Sequence, residues 1–78
     1  MGKWKDVHTV PNPSGSGWVN EQAGRVVSHH QRKDTAVDHG RNLARATETE
    51  HIIHNQDGRI GRRNSYGGDP FPPRDTNR

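Results

Sequence analysis

Three arginines, Arg59, Arg62 and Arg63, fall within five residues of sequence, and Tyr66 follows three positions later. A guanidinium is a rigid fork of donors that grips a phosphate with two bonds, and a phenol ring can stack on a base. Side chains alternate along a strand, so a two-residue period puts Arg59 and Arg63 on one sheet face, where Arg25 can join them from a nearby strand. The candidate nucleic-acid contact is therefore Arg59, Arg62, Arg63, Tyr66 and Arg25. The same arginines also suit a second role, because charge on an exposed strand deters edge-to-edge aggregation.

The charge layout favours attention to this region. Residues 1–58 hold seven basic and seven acidic side chains, while the last twenty hold five arginines against two aspartates. Their difference, three, is the whole net charge of +3. A local basic excess fits a polyanion or an acidic protein surface.

Other chemistry finds less support in the spacing. Six histidines (His8, His29, His30, His39, His51 and His54) invite a metal. Zinc wants three or four converging ligands, yet His51 and His54 point to opposite faces of a strand, as do His29 and His30. No metal site and no cofactor is expected. Asp57 belongs to a turn, and Asp34 and Asp38 lie on a helix beside Lys33 and Arg41, so no paired carboxylates stand out for acid–base work. The glycines at 15, 17, 67 and 68 lack the lysine and following helix of a phosphate-binding loop. No catalytic residue is assigned, and the chain is read as a non-enzyme.

The scaffold must be small. Seventy-eight residues make one domain, and only 24% are apolar, so hydrocarbon burial offsets ordering entropy narrowly. Cysteine is absent, which excludes disulfides and thiolate metal sites and fits a reducing, cytoplasmic setting. No apolar run approaches the roughly 18–20 residues that span a bilayer, and the stretch MGKWKDVHTV has no apolar secretory core.

Periodicity then lays out the elements. Val7–Val10 is β-branched and strand-like, and Pro11–Gly17 is a breaker loop. Trp18–Gln22 alternates, with Trp18, Asn20 and Gln22 on one face; Ala23-Gly24 turns the chain into a third strand, Arg25–His29. From Arg32 to about Ala46 the period becomes helical, with Ala36, Val37, Gly40, Leu43 and Ala44 on one face. Gly40 costs roughly 1 kcal/mol in a helix interior, and close approach to the sheet would explain it. Glu50–His54 is a strand, and Asp57-Gly58 supplies a hairpin turn into a last strand, Arg59–Arg63, with Ile60 facing inward. The expected fold is α+β: a small antiparallel sheet of four to five strands in ββ(β)αββ order, one helix across it, and an irregular Pro/Gly-rich C-terminal tail. The domain is expected to span 1–64 and the tail 65–78. Phe71 and the prolines of the tail either cap a sheet edge or dock in an aromatic groove.

The segments HTVPNPSGSGW, VVSHH and EHIIHNQDGRIGRRNSYGGDPFPP together resemble the domain of unknown function 2188 family, small and mostly bacterial proteins. The resemblance covers about residues 7–73 and implies a compact α+β fold. It implies no activity. The functional expectation rests on the residues: an accessory protein contacting DNA, RNA or a nucleoprotein through a basic strand face. The alternative is a protein-interaction module or homo-oligomer using a sheet edge and the Pro-rich tail.

Overall fold

In the computed structural model, residues 5–66 are described, and the element order is β1 (Val7–Pro11), β2 (Trp18–Gln22), β3 (Arg25–His30), α1 (Lys33–Thr47), β4 (Glu50–His54) and β5 (Ile60–Ser65). The strands form one sheet in the order β3-β2-β1-β4-β5. Residues 67–73, on which the expected cap falls, lie outside the described residues. β5 runs to Ser65, one residue past the expected domain boundary.

The expected antiparallel sheet is mixed instead. β1 pairs β2 antiparallel and β4 parallel. The reason is directional. Two hairpin steps give β3 the direction of β1, and a helical crossover returns the chain in the direction it left. β4 therefore runs parallel to β1 and takes its free edge, leaving β3 and β5 as the outer strands. Central β1 carries Val7 and Thr9, both fully inaccessible, and its neighbours β2 and β4 supply most of the other buried strand residues.

The helix starts without a side-chain cap at Arg32, as its sequence implies, and carries Asp34 in its first turn and Arg45 in its last. These charges complement the helix dipole. It ends on Glu48, which adopts the left-handed conformation at φ 58°. Ala36, Gly40 and Ala44 form the buried stripe of α1, one residue per turn. These are the smallest side chains available, so the helix sits close to the strands beneath.

That closeness suits an unusual core. Alongside Val7 and Val19, the largest fully buried side chains are His51, Asn20 and Thr9. Asn20 and Gln22 share the inward face of β2 with Trp18, as the alternation predicts, and all three are buried. A chain this poor in apolar residues thus builds its centre partly from hydrogen bonds.

Candidate nucleic-acid interface

The β4–β5 hairpin positions the arginine cluster. Asn55 N–H donates to Arg59 O at 2.7 Å, and Gly58 N–H donates to Asn55 O at 2.9 Å, which closes the turn. Gly58 supplies the positive φ, 89°. Across the hairpin, Ile52 faces Arg63 and Ile53 faces Arg62, but His54 faces Ile60, so Gly61 is an extra residue in a bulge. The bulge resets the alternation. Ile60 does not face inward as expected; it is half exposed. Arg59 lies before the strand, in the turn, and does not share a strand face with Arg63. Arg62 stands with Ile53 on the helix side of the sheet, and Arg63 with Ile52 on the other. The three arginines therefore surround one edge and its tip rather than forming a face.

Two further members of the predicted set lie apart. Arg25 belongs to β3, the opposite edge, four strand spacings or roughly 19 Å from β5. It does not join the cluster. Tyr66 follows the far end of β5, half-buried, its N–H donating to Thr49 O at 3.2 Å. Seven residues of extended chain separate it from Arg59, roughly 23 Å. Tyr66 can accompany Arg63 but not the tip.

The electrostatics of the edge are only lightly neutralised. Arg59 Nε stands 3.9 Å from Asp57, and Arg63 Nε 3.7 Å from Glu50, both with exposed guanidinium side chains. Such exposed pairs hold charge loosely. Among the described residues no carboxylate pairs with Arg62. On the helix, by contrast, Arg41 and Arg32 make 2.8 Å pairs with Asp38 and Asp34. Arg62 is thus the one hairpin arginine without an acidic partner among the described residues, where Lys5, Arg25, Lys33 and Arg45 also have none.

A second constellation, not anticipated from the sequence, runs beneath the helix. Asn20 Nδ2 donates to the carbonyl of Ala36 at 2.9 Å and to Ser28 Oγ at 3.1 Å, which fixes its amide orientation. Its Oδ1 then accepts from Thr9 Oγ1 at 2.5 Å. Since the Thr9 proton is committed, His51 Nε2–H must be the donor in the 2.7 Å contact with Thr9 Oγ1. Ser28 Oγ also lies within hydrogen-bond distance of His30 Nε2, at 3.0 Å. One directional chain thus crosses β4, β1, β2 and β3 and ties the sheet to α1. His51 Nδ1 is left buried without a hydrogen-bond partner. Burial, then the Arg41 guanidinium, then His8, lower the His51 pKa to about 4, so the ring is neutral at pH 7. His30 is also lowered, by burial first and then by His39 and His29. Gly40 lies directly over this chain: a Cβ there would fall 2.6 Å from Asn20 Oδ1, 2.7 Å from His51 Nε2 and 2.8 Å from Thr9 Oγ1.

The other histidine pair also has a structural role. His54 Nδ1–H donates to Gly58 O at 3.1 Å, which leaves its Nε2 to accept from His8 Nδ1–H, also at 3.1 Å. This braces the hairpin against β1. His51 and His54 lie on opposite sides of the sheet, as alternation requires. Among the described residues no three His, Asp or Glu side chains converge on a common point.

Residues 7–66 match the family model of DUF2188, described as an uncharacterized protein conserved in bacteria. The chain belongs to this family. The match spans every strand and the helix of this family member, so the α+β fold and the family stand on the same residues. No curated protein and no solved structure matches the chain. Among the described residues, no helix is long and apolar enough to cross a membrane.

Proposed function

We propose that this chain is a non-enzymatic bacterial accessory protein of the cytoplasm that binds nucleic acid, or a nucleoprotein, along the outer edge of β5. The observation that carries the reading is the exposed basic hairpin. β5 is exposed along its length except at half-buried Asn64, and Arg59, Arg62 and Arg63 project around it with loose or no acidic partners among the described residues. An edge of this kind follows a phosphate backbone. Guanidinium forks on both sides of the strand reach phosphates that a flat face would not. Tyr66 can add stacking at the far end of the strand. Affinity would come mostly from counterion release and would fall steeply with salt. Titration of labelled DNA and RNA at low and at physiological salt tests this. Absence of binding at low salt, or affinity indifferent to salt, overturns it.

A second reading has its own observation. On the opposite edge, Val26 and Val27 of β3 are each 45% exposed. Contiguous apolar side chains on an outer strand suit pairing with a protein or with another copy of the chain. Light scattering of the intact chain and of a Val26→Lys variant decides it. Self-association that the substitution abolishes, with Arg59, Arg62 and Arg63 freely replaceable by Ala, favours this reading over the first.

A further inference from the structure

The hairpin does more than expose arginines. Between it and the start of α1 lies a cleft of about 270 Å³, lined by Lys33, Val37, Ile53, Asn55, Gly61 and Arg62. Two cations from different elements line it, and no carboxylate does. Two other clefts among the described residues include aspartate: Asp34 and Asp38 in one, Asp6 in the other. From this juxtaposition we infer that the cleft is a phosphate subsite, in which Lys33 and Arg62 hold one phosphodiester of a bound nucleic-acid strand.

The inference rests on the reading of β5 as a nucleic-acid edge and gives that edge an anchoring point. Arg62 is the hairpin arginine on the helix side, because the Gly61 bulge sets it opposite Ile53. Lys33 comes from the first position of α1, and its Nζ stands 5.1 Å from the centroid of the buried Trp18 ring. A cation held over an aromatic face is restrained without being neutralised. Among the described residues neither Lys33 nor Arg62 pairs with a carboxylate. Two like charges facing one recess are relieved by an anion between them, and the buried Ile53 and half-buried Val37 lower the local dielectric. The arginine offers a bidentate fork and the lysine a point charge.

Asn55 supplies a third polar group. Its side chain lies against Gly61, where a Cβ would collide with the Asn55 amide. The absence of a side chain at Gly61 thus leaves room for Asn55, which lines the cleft. The cleft is slightly smaller than the roughly 300–1,000 Å³ of drug-sized sites, so it suits a phosphate with little of the attached sugar.

The test uses the full chain. Amide resonances are followed during titration with inorganic phosphate, with sodium chloride at matched ionic strength as the control. Oligonucleotide affinity is measured for wild type, Lys33→Met, Arg62→Ala and Arg63→Ala, each checked for folding by circular dichroism. Lys33→Met keeps an unbranched side chain over Trp18 while removing the charge. The expected result is phosphate-specific shifts at Lys33, Asn55, Gly61 and Arg62, together with a roughly fivefold or greater loss of affinity in Lys33→Met and Arg62→Ala. Each of these two variants should also lower the salt slope by about one. Oligonucleotide binding that survives both substitutions unchanged overturns the cleft while leaving the edge reading intact. Phosphate-specific shifts at the cleft without any oligonucleotide binding overturn the edge reading and leave a site for free phosphate. Shifts that chloride reproduces overturn the cleft.

Discussion

Replacing Gly40 with alanine sets two physical effects directly against each other. Helix propensity alone favours Gly40→Ala by about 1 kcal/mol. The structure says the opposite. The new Cβ would sit 2.6–2.8 Å from Asn20 Oδ1, His51 Nε2 and Thr9 Oγ1, closer than any methyl group is tolerated. All three of those residues are fully buried, so none can swing into solvent. Either α1 lifts off the sheet or the hydrogen-bond chain breaks. Overpacking costs about 1–3 kcal/mol, and a buried polar group left without a partner costs a further 1–3 kcal/mol or so. After the propensity gain, a net loss of about 1–5 kcal/mol, centred near 3 kcal/mol, remains. For a chain of 78 residues this is a large share of the roughly 4–12 kcal/mol of typical stability. The midpoint of thermal unfolding should fall by roughly 10–20 °C. Thermal and urea denaturation of Gly40→Ala beside Asn42→Ala, a change on the exposed side of the same helix, measures it. Asn42→Ala should be neutral or slightly stabilising. If Gly40→Ala matches it, the close approach of helix to sheet is wrong.

Four further outcomes are expected. Asn20→Ala removes the donor to Ala36 O and the acceptor for Thr9, and should destabilise by about 2–4 kcal/mol in urea unfolding. His51 titrates near 6.5 unfolded and about 4 folded, so the native state binds fewer protons. Its contribution is therefore fully present above about pH 6.5 and is lost as pH falls towards 4, by up to about 3 kcal/mol, and His51→Gln should flatten the wild-type loss across that window. Ala23 holds a left-handed φ of 58°, and Ala23→Gly should raise stability by about 0.5–1 kcal/mol; a lower unfolding midpoint would count against the turn geometry. Arg59, Arg62 and Arg63 changed together to Ala should weaken oligonucleotide binding without lowering the unfolding free energy by more than about 1 kcal/mol, because all three are exposed.

Local elements were legible because their chemistry is local. Trp18–Gln22 and Glu50–His54 match the observed strands end to end, bounded by Gly17, Ala23-Gly24 and the Asp57-Gly58 turn. The helical face of Ala36, Gly40 and Ala44, and the reason for a glycine within it, followed from spacing and propensity. Strand neighbours were less accessible, since alternation reveals faces and not partners. Direction settles only the sense of the β1–β4 pair, since two hairpins and one helical crossover leave β4 running with β1. The candidate site was partly misplaced for a similarly local reason. Gly61 reads as a strand residue, but as a bulge it breaks the alternation between Ile60 and Arg62, which turns Ile60 away from the helix side and exposes it. Arg25 was grouped by charge, whereas topology sends it to the far edge. The polar chain through Thr9, Asn20, Ser28, His30 and His51 had one sequence signal, Asn20 and Gln22 alternating with Trp18 on an inward face. Its assembly from four strands is long-range and was not visible.

The central proposal is that hairpin arginines engage phosphates, and the dependence of affinity on salt measures this most directly. Each phosphate contact contributes about 0.9 to the slope of log K against log salt for duplex DNA and about 0.7 for single strands. Three arginines removed together should therefore reduce the slope by about two to three. A triple Arg59/Arg62/Arg63→Ala variant with that reduced slope supports the proposal; a variant that binds with the wild-type slope contradicts it.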